Sequence, residues 1–169
     1  MKIIMFFWEN LLRAQRLVMF LTSLSVLFLM AAAAFMRHFL QMDFFGMEDL
    51  VLIMAFWMYF MGAAYASYEK THISAEVVSA YVKNENVKRI LKLVTSLITT
   101  AMSMIFAYWG YLLLLWGLES GRRTVMLHIH ILVPQAAIIL GFFLMTLYAI
   151  VHFVNEIRNY LAWRKEVAS

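Results

Sequence analysis

The sequence predicts an all-α integral membrane protein: a four-helix unit with amphipathic interfacial segments and both termini on the cytoplasmic side. Three observations predict it. Of the 169 residues, 64% are hydrophobic and only 14% charged, with a mean hydropathy of +0.79. A soluble domain is nearly half apolar and about a quarter charged. The charges fall between four long uncharged runs, at residues 17–36, 50–68, 93–118 and 125–154. The basic residues are also unevenly shared. With the amino terminus inside, eleven of the fourteen lie in inner segments, and only Arg37, Arg122 and Arg123 fall outside. For short loops that asymmetry sets orientation. Residues 1–169 read as a single membrane domain.

Residues 1–16 mix Lys2, Glu9, Arg13 and Arg16 with Ile3, Ile4, Phe6, Phe7, Trp8, Leu11 and Leu12. This amphipathic start predicts a helix lying at the membrane surface before the chain turns in. Leu17–Met36 is the first run, 20 residues long. Ala31–Ala34 imitates a signal-peptidase site, but the chain beyond stays apolar where a cleaved leader would give way to polar sequence. Leu50–Tyr68, the second run, holds 19 uncharged residues bracketed by Glu48, Asp49 and Glu69. At 1.5 Å per residue it spans about 28 Å, close to the thickness of a bilayer's hydrocarbon core.

Residues 69–92 carry Lys70, Lys83, Lys88, Arg89 and Lys92, with Ile73, Val77, Val78, Tyr81 and Val82 near helical spacing. They predict a second interfacial helix. The third and fourth runs, of 26 and 30 residues, exceed what a crossing needs and must tilt, kink or protrude. Pro134 either kinks the fourth helix or stands in the first turn of a helix beginning there. Trp109 and Trp116 fall in the outer part of the third span, and Trp163 lies beyond the inner end of the fourth, as aromatic belts do.

Composition removes several chemistries. Without cysteine there is no disulfide, thiolate metal site or cysteine nucleophile. The fourteen methionines serve packing, since no His–Met spacing suggests copper. The net charge of +4 sits mostly at helix ends and does not indicate nucleic acid. No run contains Asp, Glu, Lys or Arg, the groups that proton relays and intramembrane substrate sites use. Nor is there an inverted repeat of short, broken runs. The chain therefore reads as a protein that supports transport or chemistry performed elsewhere, and not as an enzyme.

Glu48 and Asp49 open the second helix, where the dipole favours negative charge. They are either a solvated helix start or partners of Arg37 at the end of the first helix. Gly62 and Ala66, with Ala63 and Ser67 beside them, place small residues four apart on the second helix. Such a face serves internal packing or a partner subunit equally well. His38, His128 and His130 fall at one end and His72 and His152 at the other, so a bis-histidine haem b between helices is conceivable. Interfacial histidines need no ligand to explain them.

The acidic pair with Leu50, then Phe56-Trp57, then Met61-Gly62-Ala63-Ala64-Tyr65-Ala66 and His72-Ile73 resembles the small permease subunit, of DctQ type, of tripartite ATP-independent periplasmic (TRAP) transporters. Trp57, Phe60, Gly62, Ala63 and His72 keep the order of that family's second helix, and Arg37-His38 resembles its Arg–aromatic pair. Met47 stands where the family often has a small or hydroxyl residue, Asp49 where Glu is common, and no Gly closely follows Pro134. The likeness covers about the whole chain. It implies a non-catalytic, multi-pass subunit of the bacterial inner membrane that binds no cofactor itself. Its implied partners are a large multi-span permease, holding the substrate and sodium sites, and an extracytoplasmic solute-binding protein. The solute would be an organic acid such as a C4-dicarboxylate or sialic acid. The small subunit would widen the static scaffold in an elevator-like cycle. Arg37, Glu48 and Asp49 would order the outer helix ends. Trp57, Gly62, Ala63 and Ala66 would belong to packing or the permease interface, and His72 would mark the inner end of helix two. A haem-bearing oxidoreductase anchor and a four-helix assembly factor are the alternatives.

Overall fold

The computed structural model describes residues 2–42, 45–69 and 85–168. They form four long helices: α1 (Lys2–Phe35), α2 (Met47–Tyr68), α3 (Glu85–Ser120) and α4 (Leu132–Ala168). All four are long and apolar enough to cross a membrane. A π-helical turn, Met36–Leu40, extends α1 and ends at Gln41 in the left-handed conformation, φ 51°. The 22 residues of α2 give about 33 Å, a close match to one bilayer core. The 36 and 37 residues of α3 and α4 give about 54–56 Å, so both run well past it or tilt within it.

Two boundaries depart from the sequence expectation. The amphipathic start is not a separate surface helix, because α1 runs unbroken from Lys2 into the first apolar run. The mixed character of this stretch has a packing cause. Glu9 and Arg13 pair at 3.6 Å on the exposed face, while Leu12 and Gln15 are buried on the other. The fourth helix begins at Leu132, not Val125. Pro134 stands in its first turn, where a missing N–H costs nothing and the fixed φ suits a helix start. The interfacial helix expected around Ile73–Val82, and His72 with it, lie outside the described residues.

The packing order is α1 against α2, α2 against α4, and α4 against α3. So α2 and α4 form the centre, and α1 and α3 flank it. Gly141 sets the closeness of the central pair. A Cβ there would lie 2.8 Å from the Cβ of Phe60 and 3.0 Å from its carbonyl oxygen, so only glycine lets α4 approach α2 this far. Phe142 then meets Phe60 edge-on at 5.3 Å and stacks on Phe106 of α3 at 5.6 Å. The flanking helices leave large side chains bare, among them Phe20, Leu24 and Phe28 on α1 and Leu97, Tyr108 and Trp109 on α3. In a bilayer those faces meet lipid or another subunit.

The tightest core lies toward the start of α1 and the end of α2. Leu12, Ala64 and Tyr148 are buried together, with Trp8, Tyr65, Tyr68 and Leu144 packed around them. Polar side chains tie the helices there. The Gln15 carboxamide donates from Nε2 to the Met61 carbonyl on α2 at 3.0 Å and accepts at Oε1 from the Tyr148 hydroxyl on α4 at 2.9 Å. Thr146 donates to the Ser103 carbonyl at 2.9 Å, joining α4 to α3. His152 Nε2 lies 3.1 Å from the Tyr68 carbonyl, near the end of α2.

Candidate functional site

Of the residues singled out in the sequence, Arg37, Glu48 and Asp49 converge at one end of the helices, where α1 finishes, α2 begins and the α3–α4 connection returns. That connection is ordered by its own backbone. Thr124 N donates to the Ile129 carbonyl at 2.8 Å and Ile131 N to the Arg122 carbonyl at 3.1 Å, and Arg123 and His130 form an isolated antiparallel bridge. Ile129 N is held by the Thr124 hydroxyl at 3.1 Å. His128 turns the chain with φ 55°, and its Nδ1 lies 3.3 Å from the Thr124 carbonyl.

Asp49 fastens this loop to α2. Its Oδ2 accepts the backbone N–H of Met126 at 3.0 Å and of Leu127 at 2.9 Å. Hydrogen bonds to an ionised carboxylate are among the stronger kind. Gly46, the residue before the helix, makes room for the loop. Its φ of +96° suits glycine, and a Cβ would lie 2.7 Å from Leu127 side-chain carbons. The acidic pair therefore divides its work. Asp49 links α2 to the α3–α4 loop, whose N–H groups its Oδ2 accepts. Glu48, exposed one residue earlier, faces a cleft instead.

That cleft, about 970 Å³, opens between α1 and α2. Arg37 and Glu48 both line it at one end; Ala33, Val51, Ala55 and Phe56 are among its apolar walls, and Met126 of the loop closes one side. The structure thus brings Arg37 and Glu48 to one cavity. Arg37 belongs to the π-helical turn, a geometry often found at functional sites. His38, on the same turn, lies edge-on to Phe39 at 5.3 Å.

The small-residue face of α2 turns inward. Gly62 is partly buried, and a Cβ there would approach Met19 of α1 at 3.9 Å. Ala63 and Ala66 are also partly buried, as is Trp57. Sequence reasoning passed over Gln15 and Tyr148. The signal was present, since Leu12, Gln15, Met19 and Thr22 follow helical spacing, and Gln15 falls on the same stripe as Leu12.

The family model for tripartite ATP-independent periplasmic transporters, DctQ component, matches residues 26–159. That stretch takes in the end of α1, the whole of α2 and α3, and most of α4. No curated protein matches the sequence.

Proposed function

The chain belongs to the DctQ component family of tripartite ATP-independent periplasmic transporters, and from that membership we propose that it is the non-catalytic scaffold on which a large permease subunit works. It is a small, multi-pass membrane subunit of such a transporter. In this reading the large subunit carries the substrate and sodium sites, and a separate solute-binding protein delivers an organic acid. The small subunit sits in the bacterial inner membrane with both termini cytoplasmic, and it broadens the static frame against which the transport domain moves.

One observation carries the reading. Each of the four long helices holds a stretch of 19 or more residues free of Asp, Glu, Lys and Arg, at 17–36, 50–68, 93–118 and 132–154, and their charges fall toward the ends. Intramembrane charges are the usual mark of ion and substrate paths. Several side chains in the spans instead join helices to one another, Thr100 and Thr146 linking α3 with α4 and Tyr148 linking α4 to Gln15 of α1. The bare outer faces of α1 and α3 supply apolar surface on which a multi-span partner can seat. Asp49 and Gly46 tie the start of α2 to the α3–α4 loop, a link that suits a static part.

The test is purification of the tagged chain from its native host in mild detergent, with mass spectrometry and a visible spectrum of the eluate. Co-elution of a much larger multi-span permease, with no Soret band, is the expected result. A Soret band with a flavin or iron–sulfur partner would replace the scaffold by an oxidoreductase anchor.

A further inference from the structure

We propose that the cleft between α1 and α2 is a binding site for one zwitterionic phospholipid, of the phosphatidylethanolamine class. The cleft is apolar along most of its length, with Ala33, Val51, Ala55 and Phe56 among its walls. Two groups of opposite charge line one end of it, Arg37 on the π-helical turn and Glu48 in the first turn of α2. An anionic phosphate suits the guanidinium, and an ammonium suits the carboxylate. Arginine presents five N–H donors, so a phosphate needs only part of the fork, whatever else Arg37 holds. A headgroup carrying both charges matches the pair, and a purely anionic one leaves Glu48 facing like charge.

Depth and position agree with a lipid. From Glu48 to Phe60, the far lining residue on α2, is about 18 Å along the helix at 1.5 Å per residue. One leaflet of a hydrocarbon core is about 15 Å deep, half of roughly 30 Å. The charged pair lies where the apolar run of α2 begins, the level of a headgroup, and the cleft descends from there beside the run. Its volume of about 970 Å³ falls within the 300–1,000 Å³ typical of sites for small molecules. Tyr59, which also lines the cleft, is exposed along this wall and gains cover when an acyl chain lies against it. The proposal needs only a chain that spans a bilayer, and it stands apart from the transport role.

The experiment takes the purified full-length chain, equilibrated with vesicles of equal phosphatidylethanolamine and phosphatidylglycerol and re-extracted, and counts retained lipids by native mass spectrometry. The wild type is expected to keep one phosphatidylethanolamine in about tenfold preference. Ala55→Phe, which fills the cleft, should empty it, whereas Leu97→Phe on the bare face of α3 should not. Arg37→Gln should lose the lipid, and Glu48→Gln should keep a lipid but bring the two headgroups to near parity. Circular dichroism establishes that each variant folds, and Ala55→Phe carries the test if Arg37→Gln does not. Equal retention of both lipids by the wild type, or full retention by Ala55→Phe, would overturn the site. So would crosslinking from a Leu52→Cys variant to a polypeptide seated in the cleft of the assembled complex.

Discussion

Replacing Gln15 by leucine should loosen three helices at once, because one carboxamide serves all of them. Gln15 is 3% exposed and Tyr148 1% exposed. The substitution removes the 3.0 Å bond to Met61 O and the 2.9 Å bond from the Tyr148 hydroxyl. Interhelical hydrogen bonds in membrane proteins average about 0.6 kcal/mol by double-mutant cycles, so the two bonds account for about 1.2 kcal/mol. The stranded Tyr148 hydroxyl, packed among Leu12, Ala64 and Trp8, raises the loss toward about 2 kcal/mol. Tyr148→Phe alone should cost about 1 kcal/mol, since it leaves Gln15 Oε1 without its donor. The double variant removes the stranded groups together and should be no less stable than Gln15→Leu, a coupling of about 1 kcal/mol. The assay is reversible unfolding of the purified chain in mixed micelles, followed by circular dichroism as the denaturing detergent fraction rises. Strict additivity of the two substitutions would refute the network.

Two further substitutions separate neighbouring roles. Asp49→Asn should speed hydrogen exchange at the Met126 and Leu127 amides while Glu48→Gln leaves them protected, because only Asp49 accepts those N–H groups; equal effects from the two would return the acidic pair to a shared role. Gly141→Leu should cost about 1–3 kcal/mol in the same unfolding assay by forcing α4 off Phe60, and an unchanged midpoint would mean that α2 and α4 are not so closely apposed.

How much of this was legible depends on what each residue's neighbours are. The limits of α2, Met47–Tyr68, follow from charges placed at both ends of an apolar run, a local signal. The start of α4 was misplaced because hydropathy counts Val125–Ile131 as membrane, whereas backbone bonds within the loop and the Asp49 carboxylate hold those residues out of a helix. Pro134 already carried the correct boundary as a first-turn residue. At the candidate site, the acidic pair and Arg37 were readable as residue types at helix ends. That Asp49 turns to the loop and Glu48 to the cleft depends on Gly46 and Leu127 meeting across 80 residues of chain, which no local pattern states. The small-residue face of α2 was ambiguous for the same reason. Helical spacing finds the stripe, and only the placement of Met19 shows that α1 covers Gly62.

The most direct test of the scaffold role is sodium-driven uptake into proteoliposomes holding the large permease subunit, its binding protein loaded with labelled solute, and this chain present or withheld. The account predicts uptake only when this chain and the permease are both present, and none from this chain alone. Sodium-driven uptake by this chain without the permease, or full uptake by the permease without it, would contradict the account.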